Sequence, residues 1–172
     1  QKGGRTVDYQ VFEMLGDSRF AQQEAEEGQA YMERVFRRVF GSSQEEDGEQ
    51  ITEHVYELMR SRFVSCSFQE RTLDMEFVVR QWELNPMGNL HGGILVTAVD
   101  MACGILTRFY RQTKAVSTVH LSVDFLRPIK CGETFIVRAK LNKSGRRIAF
   151  LTAEVFLKKD GRTAATASGT FV

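Results

Sequence analysis

The chain has 172 residues, 42% hydrophobic and 26% charged, with a formal net charge of +1 at pH 7. This is an ordinary globular composition, long enough for one domain with an appendage. Its near-neutral balance offers no basic field for nucleic acid and no acidic tail, and no run approaches the roughly eighteen apolar residues of a transmembrane helix.

Cys66, Cys103 and Cys131 are far apart and lack CxxC spacing, which argues against a disulfide framework or a zinc site. No metal is expected, and a reducing cytoplasm is the default compartment. The polar opening, Gln1 to Arg5, has no signal-peptide core. The absence of an initiator Met reads as a trimmed start.

Residues 1–16 read as a loosely held start with a short helix around Val7–Leu15. Asp17 or Ser18 can cap the next helix. Its apolar positions Ala21, Ala25, Gly28, Tyr31, Met32, Val35, Phe36, Val39 and Phe40 recur in steps of three and four. Gly41 and the polar run to Gly48 end it. A second helix is expected over about Glu49–Arg62, with Ile51, Val55, Leu58, Met59 and Phe63 as its stripe. These two helices form an extension over residues 1–62 that must pack on the main domain or on a partner subunit.

From Phe63 the period becomes two, and residues 63–172 read as that main domain. Val64, Cys66 and Phe68 alternate with polar residues. Arg71–Asp74 reads as a turn or bulge, and Met75–Leu84 as a second strand that Asn85-Pro86 breaks. A tight loop then feeds a helix from Gly92 to about Tyr110. The remainder alternates as strands over 115–125, 134–142, 147–158 and 162–172, with hairpin signals at Ser144-Gly145 and Asp160-Gly161. In 115–125, Val119, Leu121, Val123 and Phe125 share one face, and Thr118, His120, Ser122 and Asp124 the other.

One long apolar helix among strands joined by short turns implies an α+β fold, an antiparallel sheet wrapped around a central helix. That helix is apolar on both sides, so one sheet cannot cover it. A second copy related by a two-fold axis would complete the burial. Within the run from Ile94 to Leu106 the one acidic residue is Asp100, which is costly there unless paired or used.

Asn85-x-x-Gly88-x-Leu90-His91-Gly92-Gly93, with Asp100 further along, resembles the motif of hotdog-fold acyl-CoA thioesterases of the PaaI-like type. Ser117 to Pro128 is similar to that family's strand after the helix, and Gly132-Glu133 to its next turn. The resemblance covers residues 63–172 and says nothing of the extension. It implies hydrolysis of acyl- or aryl-CoA thioesters, with coenzyme A as part of the substrate and no resident cofactor.

Thioester hydrolysis needs a base or nucleophile on one side of the carbonyl and hydrogen-bond donors on the other. The first N–H groups of a helix lack internal partners and sit at its positive end, so Gly92 or Gly93 can supply such a donor. By resemblance, Gly92 polarises the carbonyl and Asp100 is general base or nucleophile. His91 orients the thioester or holds the loop. Asn85 positions water or the carbonyl, unless it serves only the turn before Pro86. Thr118 stands where the family carries a hydroxyl near the attacking water, with Ser117 as the neighbouring choice of register and His120 as structural. Gly93 and Ser117 are expected to contact substrate.

Asp100 lies about 12 Å along the helix axis from Gly92, at about 1.5 Å per residue, too far to share one site within a subunit. The site is therefore expected to be shared across a homodimer, or within a dimer of dimers. Arg108, Arg111, Arg127, Lys130, Arg146 and Arg147 are among the basic candidates for the coenzyme A phosphates, with none singled out. The rival readings are a hotdog hydratase or dehydratase, which needs a His paired with an acid, and a non-catalytic acyl-CoA-binding protein. A DNA-binding acyl-CoA sensor is disfavoured by the acidic residues of the extension.

Overall fold

The computed structural model describes residues 25–40, 54–112 and 115–172. Its elements in chain order are α1 (Ala25–Phe40), α2 (Val55–Met59), β1 (Arg62–Ser67), β2 (Thr72–Val78), a short 3-10 turn (Gln81–Glu83), α3 (Gly92–Arg111), β3 (Thr118–Phe125), β4 (Thr134–Ser144), β5 (Ala149–Leu157) and β6 (Thr163–Phe171). The expected helix at Val7–Leu15, the start of the next helix and the 41–53 stretch lie outside the described residues.

The six strands form one sheet in the order β1-β2-β4-β5-β6-β3, antiparallel at every pairing. After α3 the chain therefore crosses to the far edge to lay down β3. The period-two pattern buries Phe135, Val137, Ala139 and Leu141 of β4 and Leu151, Val155 and Leu157 of β5. These residues face α3, whose Leu95, Ala98, Val99, Ala102, Ile105 and Leu106 complete the core. By length and composition α3 could cross a membrane, but it is the helix the sheet wraps, with 56% of its apolar window buried. It ends where Gln112 takes a left-handed conformation and donates its N–H to the Arg108 carbonyl.

α1 buries Met32, Val35 and Phe36 in the same core, with the Phe36 ring 5.3 Å from Phe109 and 5.9 Å from Phe63. Gln29 takes the Phe68 N–H on its side-chain oxygen at 2.7 Å and donates its amide to the Cys66 carbonyl at 2.9 Å. It thus occupies the β1 edge as another strand would. Gly28 permits this approach, since a Cβ there would meet the Phe68 ring at 2.7 Å.

Four expectations are corrected. The second helix is cut short: Arg60 at φ 41 ends α2 after Met59, and β1 begins at Arg62. Of its expected stripe Met59 is buried, while Val55 and Leu58 stay exposed. The turn lies at 68–71 rather than 71–74, with Arg71 at φ 55. Asp74 is buried within β2, where Arg138 grips both its oxygens at 2.8 and 2.6 Å and the Ser65 hydroxyl adds a third bond. That pairing removes the cost that made an acid look unsuited to a strand.

The strand expected to reach Leu84 stops at Val78 and gives way to the Gln81–Glu83 turn. The buried Glu83 carboxylate takes the Arg80 N–H at 2.9 Å, and the Arg80 guanidinium reaches back to the Leu58 and Met59 carbonyls at the end of α2. The fourth correction concerns β3. Its pairing with β6 slips between Thr118, opposite Phe171, and His120, opposite Thr170. Val119 is the extra residue and is 60% exposed, so the expected alternation fails at this end of the strand.

Candidate active site

The loop before α3 is built by its own side chains. The Asn85 side-chain oxygen accepts the N–H groups of Met87 at 3.0 Å and Asn89 at 3.2 Å. The Gly88 N–H reaches the Asn85 carbonyl at 2.9 Å, and Gly88 takes φ +75, which a side chain would resist. Leu84 and Leu90 close the loop as a bridge. The sequence motif is here a folding device: the Asn85 oxygen holds the turn that presents His91 and Gly92.

His91 caps α3. Its Nδ1 accepts the Gly93 N–H at 3.0 Å, its own N–H goes to the Glu83 carbonyl at 2.8 Å, and its carbonyl takes the Ile94 and Leu95 N–H groups. Because Nδ1 is an acceptor, the proton of the neutral ring sits on Nε2. Gly93 has committed its N–H to the cap, and a Cβ there would meet His91 Nδ1 at 3.1 Å. The Gly92 N–H, at the first helical position, has no acceptor within the helix. It is the donor left at the positive end of α3. The Phe125 ring from the end of β3 lies against Gly92, 3.3 Å from where a Cβ would be. Nothing in the alternation of β3 pointed to this neighbour.

Asp100 is half-buried on α3, and the Thr118 hydroxyl donates to its Oδ1 at 2.6 Å. The slip at Val119 makes this possible, because it leaves Thr118 opposite Phe171, a core residue, rather than on the outer face with His120. Ser117 pairs its backbone with Val172 in both directions at 2.9 Å. Of the two hydroxyls weighed from sequence, Thr118 is therefore the one bonded to Asp100. Cys103, one turn on, is no competing nucleophile: burial, then the Asp100 charge, push its thiol up to about 12.

The structure thus brings Asp100 and Thr118 together at one point, and Asn85, His91, Gly92 and Gly93 at another. Sequence reasoning missed Tyr56. Burial pushes its phenol up, the Asp100 charge adds to this, and the Arg108 guanidinium opposes it. Only fold context reveals it, because Tyr56 sits outside any motif. Among the described residues no group of three His, Cys, Asp or Glu side chains could hold a metal ion.

Residues 87–164 match the family model of the thioesterase superfamily. A Caenorhabditis elegans protein bearing the name "Putative esterase" is 32% identical over 143 residues, covering 82% of this chain and 77% of its own. Mouse acyl-coenzyme A thioesterase 13 is 26% identical over 87 residues, covering 51% of this chain and 62% of its own. A phenylacetic acid degradation-related protein of Ralstonia eutropha superposes with a TM-score of 0.63 at 28% identity, over 72% of this chain and 92% of its own. The chain belongs to the thioesterase superfamily, and its sheet around one long helix is the hotdog architecture.

Proposed function

We propose that this chain hydrolyses acyl- or aryl-CoA thioesters to the free acid and coenzyme A. The observation that carries the reading is the Asp100 carboxylate held by the Thr118 hydroxyl at 2.6 Å on an otherwise apolar helix that begins with the Gly92 N–H. In this reading Asp100 accepts a proton from the attacking water while the Gly92 N–H takes up charge on the carbonyl oxygen. The C–S bond then breaks and the thiolate sulfur receives the proton. If Asp100 attacks directly, the C–S bond breaks as an acyl-Asp100 anhydride forms and coenzyme A leaves as its thiolate; water then cleaves the anhydride to the free acid and Asp100, and a proton from that water neutralises the thiolate. His91 and Asn85 hold the donor loop, and Ser117 and Gly93 border the substrate. The mouse relative's name supports the thioester class.

Asp100 lies eight positions after Gly92, about 12 Å at about 1.5 Å per residue, so one subunit cannot join both to one carbonyl. Two copies related by a two-fold axis would, and β3, at the end of the sheet, is the strand on which they would meet. The working unit is then a homodimer or a dimer of dimers in the cytoplasm. It carries no resident cofactor, since coenzyme A arrives with the substrate.

A hydratase would need His91 poised against an acid, whereas its Nδ1 is occupied by the Gly93 N–H. The test is release of free thiol from a panel of CoA esters without added metal. Asp100→Asn should lower kcat by about a hundred- to ten-thousandfold, the usual worth of a positioned acid–base group. No thiol from any ester, or an Asp100→Asn variant as fast as the parent, would overturn the reading. The first outcome would leave an acyl-CoA-binding protein, and the second a thioesterase whose base is another group.

A further inference from the structure

The Gly92 N–H shares its peptide plane with the His91 carbonyl and, in a trans peptide, points the opposite way. That carbonyl takes the Ile94 N–H at 2.9 Å and the Leu95 N–H at 3.1 Å. The first turn of α3 thus aims the Gly92 N–H back out of the helix end. Where that turn stands relative to the sheet is a separate matter. Of the four described hydrogen bonds that hold His91, three come from α3 itself. The fourth is its own N–H on the Glu83 carbonyl, at 2.8 Å.

The Glu83 carbonyl is in turn placed by Arg80. The Glu83 N–H reaches the Arg80 carbonyl at 3.0 Å, and the buried Glu83 carboxylate takes the Arg80 N–H at 2.9 Å, which closes the 3-10 turn from both ends. The Arg80 side chain leaves this turn in another direction. Its guanidinium donates to the Leu58 carbonyl at 2.8 Å and to the Met59 carbonyl at 3.1 Å. These belong to the last turn of α2, whose carbonyls a helix leaves without internal partners, and Arg60 at φ 41 ends the helix beside them. The Met59 side chain is buried in the core, so the two carbonyls stand on an anchored element. One residue therefore links the end of the extension to the start of α3, by way of Glu83 and His91.

We propose that Arg80 is a positioning residue for the oxyanion donor, and that the N-terminal extension acts on the rate through it. This rests on the thioesterase reading, which takes the Gly92 N–H as the donor to the carbonyl oxygen. Such a donor acts only when it meets the oxyanion at hydrogen-bond distance, so a small displacement of the helix start costs rate. On one side the turn is held by Val79, which bonds Glu133 and Gly132 through its N–H and its carbonyl, both at 2.9 Å. The Arg80 guanidinium adds a second side, against α2. Its planar fork on two neighbouring carbonyls fixes direction as well as distance. On this view the extension helps to set the rate of the chemistry and does more than cap the core.

The test follows thiol release by Arg80→Met, which keeps the aliphatic stem and removes the guanidinium, with kcat taken per folded molecule from circular dichroism at the assay temperature. The kcat should fall about tenfold, part of the hundred- to thousandfold that loss of a whole oxyanion donor costs. KM should stay within about twofold of the parent, because the donor acts on charge that develops in the transition state. Arg80→Lys should recover part of kcat, since an ammonium can still reach one of the two carbonyls. Gln29→Ala, which loosens the extension at the β1 edge instead, should lose stability and keep kcat in dilute assay. Met59→Ala frees the end of α2 with Arg80 in place and should lower kcat about threefold; it carries the test where Arg80→Met does not fold. A folded Arg80→Met or Met59→Ala with the parent's kcat, a loss confined to KM, or a Gln29→Ala loss in kcat as large as that of Arg80→Met overturns this proposal and leaves the thioesterase reading intact. Absence of thiol release by the parent from every ester defeats the thioesterase reading and this proposal with it.

Discussion

At the β1 edge of the sheet a side-chain amide, Gln29, holds the Cys66 carbonyl and the Phe68 N–H, and α1 covers the strand behind it. At the β3 edge the terminal strand presents Val119, 60% exposed, next to the residue whose hydroxyl bonds Asp100, and at its other end Phe125, 55% exposed, against Gly92. An open strand edge invites another strand. Among the described residues, α1 closes one of the two edges and nothing covers the one nearest the proposed chemistry. In the proposed dimer α1 would then serve the site from a distance: with β1 covered, pairing between copies would fall to β3.

The contrast can be broken from either side. Phe36→Ala removes the ring that fastens α1 to Phe63 and Phe109. It should cost about 3–5 kcal/mol of unfolding free energy, read from denaturant titration. A loss below about 1 kcal/mol would mean that α1 is not part of the core. Val119→Lys places a charge on the open edge. Light scattering should then show a monomer, and activity should fall about a hundred- to a thousandfold because each Asp100 loses the partner's oxyanion donor. An active monomer would remove the shared-site model.

Gln29→Ala leaves the Phe68 N–H and the Cys66 carbonyl without the amide, at a cost of about 1–3 kcal/mol. It should also increase self-association at high concentration, and a variant with unchanged stability would show that the edge does not need it. Thr118→Val should lower kcat about tenfold, since a hydrogen bond to a charged group is worth about 1.5 kcal/mol or more. No change would place the hydroxyl outside the chemistry.

The smallest effect concerns Glu83, behind the donor loop. Burial holds its carboxyl above the ordinary value of 4.5, against the pull of Arg80. The native state therefore binds this proton more tightly than the unfolded chain does. Its contribution to stability is fully present below the unfolded pKa and is lost as pH rises through the higher folded value. Glu83→Gln should flatten the pH dependence of unfolding in that weakly acidic window, and an unaltered slope would assign the dependence elsewhere.

Much of the fold was readable from residue order. The apolar run after Gly93 named the central helix, alternation after Thr134 named β4 to β6, and an acid amid Val99 and Met101 marked itself as costly. The failures share a physical origin. Asp74 reads as a turn residue because its partner Arg138 stands 64 positions away. Trp82 prolongs an apolar pattern, yet Glu83 ends the strand through a side-chain bond to the Arg80 N–H that alternation does not encode. The end of α2 is held by Arg80, which stands 22 positions after Leu58. Local periodicity reports which face is apolar; it is silent on long-range charge pairs and on backbone slips.

The slip at Val119 bears on how relatives of this chain should be compared. Thr118 pairs with Phe171 and His120 with Thr170, so Val119 lies opposite no residue of its own. A strand without it would pair Thr118 with Phe171 and His120 with Thr170 in regular register. The strand can thus differ by one residue in length and still keep Thr118 opposite Phe171. In an alignment that difference would show as a single gap directly after Thr118, and a gap moved one column would match Thr118 to the wrong residue.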